Sequence, residues 1–368
     1  MTDNKKEDQA KLLVNILQEY YKNNAEKVYM PEEFENREFG FSFFDGKFKR
    51  HISFHSFDDY KTFLIENVPK DVYYSIALYR NPSIDMQNKG WLGAELPFDL
   101  DAEQVLRTSD ELLKRGWISS SQYQRIKELA INLIENFLEA DFGLKSDDYL
   151  VSFSGSRGYH IRIKEKTYLG LDQKARRQIV EYVAIGPSIN FPTHQSRFLP
   201  FAHDYGWNRK IFLWLKHIDS TAFSADEVAL KILAKIKKLN KPSELVITNV
   251  ERRAFENMFT KALSELTISI DERVIVDVNR LLRAPMTVHG GSGFLVKPLS
   301  KSSLEKFDPF VHASMPLNSY RRIIVKEIPF EVSINNETVS PSDQGKTIEV
   351  NSALAYYLVI RGGGNILE

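Results

Sequence analysis

The chain has 368 residues, 43% hydrophobic and 27% charged, a globular composition long enough for one large domain or two ordinary ones. Lys plus Arg equals Asp plus Glu at 49 each, so no global field draws in a polyanion and any nucleic-acid contact must come from local basic patches. The absence of cysteine excludes disulfides, Cys-ligated zinc and thiol catalysis. No run of about 18 apolar residues suggests a membrane span, and Met1 to Lys11 lacks a signal-peptide core, so a soluble intracellular protein is expected.

From the N-terminus, Leu12, Leu13, Ile16, Leu17 and Tyr20 recur at helical spacing and predict an amphipathic helix over Glu7 to Tyr21. Arg37 to Phe43 alternates like a strand, and Asp45-Gly46 is a hairpin turn signal leading into a second strand through Phe54. On that second strand Arg50 and His51 are fit to hold phosphate or to sit on a solvated face. Ser56 to Glu66 predicts a short capped helix, and Asp71 to Tyr79 a β-rich run.

The stretch Lys89-Gly90-Trp91-Leu92-Gly93-Ala94-Glu95-Leu96-Pro97-Phe98-Asp99-Leu100-Asp101 follows. Leu96, Phe98 and Leu100 alternate with Pro97, Asp99 and Asp101, so the two aspartates project from one face of a strand, roughly 7 Å apart. Carboxylates that close repel unless a cation or proton lies between them, and Mg²⁺ or Mn²⁺ suits such hard oxygen ligands. A solvated strand end has the same pattern.

Helices are predicted over Glu103 to Arg115 and Ser120 to Ala140, the second with an apolar stripe from Ile126 to Leu138. In Tyr149 to Ile163 a strand enters, a glycine-containing loop turns, and a strand leaves. Gly155 and Gly158 allow close backbone approach to an anion, while Ser154, Arg157 and His160 offer donors suited to a triphosphate. Leu171 to Leu263 is mostly helical, clearest over Asp172 to Val183 and Ala225 to Asn240. Asn190 to Asp219 reads as irregular and aromatic-rich, and the lysines from Lys231 to Lys238 as a solvated face.

In Asp271 to Gly293, Arg280 and Arg283 stand three apart, the spacing of same-face neighbours on a helix that Pro285 would end, and His289 precedes a Gly-rich turn. One acid followed by two arginines and a histidine suggests a third metal ligand with phosphate grips; either arginine equally suits a structural ion pair. Tyr320 to Val325, Glu331 to Ile334 and Lys346 to Val350 alternate like strands, Ala353 to Ile360 is apolar, and Gly362-Gly363-Gly364 reads as a flexible tail.

Taken together, these pieces resemble the catalytic small subunit of archaeal and eukaryotic replicative DNA primases. The resemblance rests on Arg37-Glu38-Phe39, on Arg50-His51 with Ser53-Phe54, and on Tyr74-Ser75 with Tyr79. It continues through Gly93-Ala94-Glu95-Leu96 into Phe98-Asp99-Leu100-Asp101, then Ser154-Gly155-Ser156-Arg157-Gly158-Tyr159-His160, and Asp271 through Leu281-Leu282-Arg283-Ala284-Pro285 to His289. It implies an α/β (α+β) primase–polymerase fold with a catalytic half like an RNA-recognition motif, formed by residues 1–170 and 265–368, and an inserted, mainly helical subdomain at 171–264. It implies an acidic triad of Asp99, Asp101 and Asp271, with Asp271 preferred to Asp277 because the family places its third acid well upstream of the Leu-Leu-Arg segment. Nucleotide-phosphate contacts carry over to Ser154, Arg157, His160, Arg283 and His289, and further to Arg50, Lys89 and Arg280.

The implied function is template-directed synthesis of short RNA or DNA primers on single-stranded DNA from nucleoside triphosphates, by two-metal transfer with Mg²⁺ or Mn²⁺. The implied partner is a large regulatory subunit, and the expected location is the archaeal nucleoid, or the nucleus for a eukaryotic member. The sequence departs from the family in one place. Trp117 to Tyr123 occupies the region of the family's zinc knuckle, and neither Cys nor His lies between Asp101 and Tyr159, so no structural zinc is expected. Alternatives are a repair or mobile-element primase–polymerase, a non-catalytic nucleic-acid-binding subunit, and a metal-dependent nuclease, the last disfavoured because a nuclease needs no triphosphate clamp.

Overall fold

The computed structural model describes residues 3–103, 111–192 and 195–367, with backbone alone for 3–6. The secondary structure is the expected α/β mixture, divided into two compact units: residues 1–131, 145–176 and 270–368, and residues 132–144 and 177–269.

In the first unit, the helix Asp3–Asn24 buries Leu13, Ile16, Leu17 and Tyr20 of the predicted stripe, with Tyr21 beside them and Leu12 only partly buried. Each such burial stabilises by about 2 kcal/mol. Strands β1 (Phe39–Ser42) and β2 (Phe48–Ile52) form a hairpin across Gly46, whose φ of 81° suits glycine. β1 also pairs with β3 (Asp71–Ser75), and β3 with β11 (Leu281–Arg283), giving the antiparallel order β11-β3-β1-β2. Phe39, Phe54 and Tyr60 pack beneath, Tyr60 coming from the helix Phe57–Asn67 that Ser56 caps. β4 (Ala77–Tyr79) and β5 (Trp91–Ala94) form a separate hairpin.

The second sheet, also antiparallel, runs β12-β7-β8-β6, from β12 (Lys297–Leu299), β7 (Tyr149–Phe153), β8 (Gly158–Ile163) and β6 (Leu96–Asp101). Phe153, Phe294, Phe310 and Tyr357 pack against one another at its apolar face. A three-stranded sheet joins β13 (Tyr320–Val325) to β16 (Thr347–Asn351) and β17 (Gly364–Ile366), and a small hairpin pairs β14 (Val332–Ile334) with β15 (Glu337–Val339). The apolar helix Ser352–Ile360 is buried on nearly every side.

The second unit packs the helices Gly206–His217, Glu227–Lys238 and Arg252–Leu266 together, with a short pairing of β9 (Arg197–Phe198) and β10 (Ile247–Thr248).

Three sequence expectations are corrected. Residues 281–283 are a strand, because β3 supplies a free edge and Leu282 buries against Ile76 and Ala77; three-residue spacing suited a helix, but tertiary pairing decided. Part of the stretch read as irregular is the helix Gly206–His217, driven by burial of Trp207, Ile211, Phe212 and Leu215. The three terminal glycines are a turn and the start of β17, held by Lys326 N–H on the Gly363 carbonyl at 2.8 Å. Most of the helix expected over Glu103 to Arg115 lies outside the described residues; Glu111–Lys114 forms one helical turn. Among the described residues, no helix is long and apolar enough to cross a membrane.

Candidate active site

β6 and β8 pair in a register that sets Asp99 opposite His160 and Asp101 opposite Gly158. A Cβ at Gly158 would lie 1.9 Å from the Leu100 carbonyl oxygen, so this close approach requires glycine. The loop between β7 and β8 is closed by the Ser154 hydroxyl, which accepts from the N–H groups of Gly158 (3.2 Å) and Ser156 (3.4 Å). Tyr123 donates to the Ser156 carbonyl at 2.6 Å, and Ser292 donates to that of Gly155. The pinned loop presents Arg157, whose guanidinium lies 3.4 Å from Asp101 and pairs with Glu103.

The opposite wall comes from β11. The Arg280 carbonyl accepts from Ile76 N–H at 3.0 Å, which fixes the entry to the strand. Arg283 is ion-paired to Asp71 and lies 5.0 Å above the Tyr73 ring. Asp71 also accepts from the Ser42 hydroxyl (2.7 Å) and from Gly290 N–H (3.0 Å), which holds the turn bearing His289. The result is a cavity of about 310 Å³ lined by Asp99, Asp101, Ser154, Arg157, His160, Arg280, Arg283 and His289, with Tyr73, Ser156, Leu281 and Leu282. Four sequence-distant segments thus converge, bringing Asp99 and Asp101 into one cavity with Arg157, Arg280 and Arg283.

The charges are tuned by this enclosure. Burial, and then the negative charge of Asp271, push the Asp99 carboxyl up to about 6, against the pull of Arg280, Arg283 and Arg157. Asp101 is also raised by burial, opposed by the Glu103 N–H and Arg157. Burial, helped by Arg283 and Arg162, pushes His160 down to about 3, so its 3.6 Å approach to Asp99 is a contact of a neutral ring rather than an ion pair. His289 is held well below the usual histidine range by burial and by Arg283. Both imidazoles are therefore uncharged near neutrality, and the positive charge belongs to the arginines.

Asp271 stands beside this cavity, its N–H on the Asp99 carbonyl at 3.4 Å. Its carboxylate caps the helix Glu272–Val276, accepting from Arg273 N–H at 2.8 Å. Asp277 instead closes a turn by accepting from Asn279 N–H at 2.9 Å. Arg50 and Lys89 do not line the cavity. Both converge on buried Glu38, Arg50 through a two-pronged contact at 2.7 and 3.2 Å, and Lys89, fully enclosed, at 2.6 Å. A buried carboxylate needs such partners, and this one takes both cations.

Among the described residues, no group of three or more Asp, Glu, His or Cys side chains is gathered so as to hold a metal ion. Asp99 and Asp101 bring hard oxygen donors to the cavity, while the Asp271 carboxylate caps its own helix beside it. Burial and the neighbouring Asp271 both disfavour an ionised Asp99. The donor set fits a divalent cation that keeps part of its water, as Mg²⁺ does.

Asp71, Tyr73 and Glu103 belong to the site and were not singled out from the sequence. Asp71 to Tyr79 was legible as β-rich, but not that Tyr73 would line this cavity beside β11. Arg162 and Arg37 clasp Glu95 behind the sheet, each at 2.6 Å, and Arg176 donates to the Ala94 and Glu95 carbonyls.

The model for the family described as DNA primase small subunit matches residues 98–300, which hold the aspartate strand, the Ser154 loop and the Arg283 segment. The chain is 32% identical to the DNA primase small subunit PriS of Archaeoglobus fulgidus, over 80% of this chain and 81% of that protein. It is 33% identical to PriS of Methanocaldococcus jannaschii, over 81% of each. To PriS of Methanococcoides burtonii it is 28% identical, over 95% of this chain and 96% of that one.

Proposed function

The chain belongs to the DNA primase small subunit family, and on that premise we propose that it is the catalytic subunit of a DNA primase, joining nucleotides into short primers on single-stranded DNA. The observation that carries this reading is the cavity that Asp99 and Asp101 line together with Arg157, Arg280 and Arg283. A cavity that combines carboxylates with guanidinium groups suits a substrate that is both polyanionic and metal-bound.

Asp99 and Asp101, with Asp271, would hold the Mg²⁺ or Mn²⁺ ions, which when bound activate the attacking 3′-hydroxyl and neutralise the leaving pyrophosphate. The chain's own residues supply position and charge. Arg283, braced by Asp71 and Tyr73, and Arg280, anchored through its backbone, meet the triphosphate already oriented. Arg157, which lines the same cavity, would offer its guanidinium to phosphate. Neutral His160 and His289 orient oxygens without adding charge, and the Ser154 hydroxyl, by holding the Ser156 and Gly158 N–H groups, fixes the loop that carries Arg157.

The family name speaks of a small subunit, and we propose a larger regulatory chain as its companion, with single-stranded DNA and nucleoside triphosphates as ligands. Elemental analysis is expected to find no stoichiometric zinc. Asp101→Ala is expected to abolish unprimed synthesis on single-stranded DNA while leaving the thermal melt within a few degrees of the parent. Retained synthesis would overturn the assignment.

A further inference from the structure

Two cavities open in the helical unit, one of about 590 Å³ and one of about 490 Å³, and Tyr205 and Gly206 line both. Each has a π-helical turn in its wall. Ile134–Glu139 contributes Asn136 and Phe137 to the larger, and Glu181–Ile185 contributes Glu181 and Tyr182 to the smaller. Such turns are rare and concentrate at functional sites.

At the shared wall, the Tyr205 ring lies parallel to His203, with centroids 4.0 Å apart and planes within 12°, yet Tyr205 remains 69% exposed. Asn208 fixes the His203 side of this stack, its amide lying 3.2 Å from Nδ1 and donating to the His203 carbonyl at 3.0 Å. An aromatic ring held open at a cavity mouth offers a stacking face at little further ordering cost. The helix that follows carries Arg209, Lys210, Lys216 and His217 and no acidic residue. Arg209 and His217 line the larger cavity.

Lys210 has a different position. It is buried, paired with Asp141, which also accepts from the Tyr182 hydroxyl at 2.8 Å. A buried ion pair adds little stability over apolar side chains of the same volume. Its place in a largely apolar cavity suits recognition of a polar ligand edge better than stabilisation.

We infer that the helical unit carries a second nucleotide-unit site, with a base stacked on Tyr205 and its phosphate beside Arg209 and His217. This goes beyond the catalytic reading, since none of these residues lines the acidic cavity. The same chemistry is offered by a free nucleotide and by one residue of a single strand.

The test titrates the full chain in EDTA with a fluorescein-labelled dT20 strand and, separately, with a fluorescent ATP analogue. Tyr205→Ala and Arg209→Ala are each expected to weaken binding roughly tenfold in at least one arm, the scale of one base–aromatic stack, and Tyr205→Phe to restore it. Weakening in the dT20 arm identifies a strand as the ligand, and weakening in the ATP-analogue arm a free nucleotide; either supports the site. Unchanged binding in both arms overturns it. Photocrosslinking of a 5-iodouracil strand gives an independent readout. Adducts within residues 203–217 support the site, and adducts confined to residues outside 132–144 and 177–269 overturn it. No synthesis is required, so a failure of the catalytic reading leaves this result interpretable.

Discussion

Asp99 is a carboxylate made reluctant to ionise, lifted to about 6 by burial and by Asp271. In the metal-free protein the native state therefore holds a proton that the unfolded chain releases. The residue's contribution to stability grows as pH falls through about 6 toward the unfolded value of about 4. On the proposed reading, a divalent cation would compete with that proton for the same oxygens. Calorimetric titration with Mn²⁺ is expected to give an affinity that is flat above about pH 7 and drops roughly tenfold per unit below about pH 6. A flat profile from pH 5 to 8 would separate Asp99 from the metal. Asp71 acts one step further back, since it does not line the cavity but holds Arg283 and the Gly290 turn. Asp71→Asn is expected to raise KM for the nucleotide about tenfold with a smaller change in kcat, as loss of one charge-assisted hydrogen bond predicts. Asp71 itself was invisible in the sequence, because its importance depends on an arginine more than 200 positions away.

At the scale of elements, the site depends on how closely β6 and β8 approach. Gly158→Ala would drive a methyl into the Leu100 carbonyl, while Gly170 has nothing within 4 Å of its missing Cβ. Thermal melts are expected to show Gly158→Ala destabilised by about 3 kcal/mol or more and Gly170→Ala within about 0.5 kcal/mol of the parent. Equal melts would mean that the strands can part at no cost. Most elements were legible where periodicity and burial agree, as in the helix Asp3–Asn24, the β1–β2 hairpin and the two strands around the Ser154 loop. The strand 281–283 was not, because three residues carry no period and their conformation is set by the edge of β3. The helix Gly206–His217 was hidden by flanking loop residues, although its four buried side chains have helical spacing.

Across the first unit, two buried carboxylates gather the cations that the sequence scatters. Glu38 takes Arg50 and Lys89, and Glu95 takes Arg37 and Arg162. Burial alone would raise Glu38, but Arg50, Lys89 and the His51 N–H outweigh it and hold the carboxyl below the ordinary glutamate range. A depressed carboxyl contributes stability that is present above the unfolded value near 4.3 and is lost as pH falls through the folded one. Urea unfolding between pH 3 and 7 is expected to show Glu38→Gln destabilised by about 3 kcal/mol at pH 7, with the gap to the parent closing in acid. A constant gap at all pH values would remove Glu38 from the pH dependence.

The sequence by itself determined the local chemistry: the paired aspartates on one strand face, a glycine-hinged loop carrying Ser154, Arg157 and His160, and a later segment carrying Arg280, Arg283 and His289. Those patterns depend on neighbours a few positions apart, and short-range geometry suffices to read them. Tertiary structure decided which groups meet. It set His160 opposite Asp99, drew Arg283 onto Asp71, and diverted Arg50 and Lys89 to Glu38, away from the cavity. The reason is that a buried charge takes whichever partner the fold brings within reach, and that choice is made by strand pairing and desolvation over the whole unit rather than by sequence spacing.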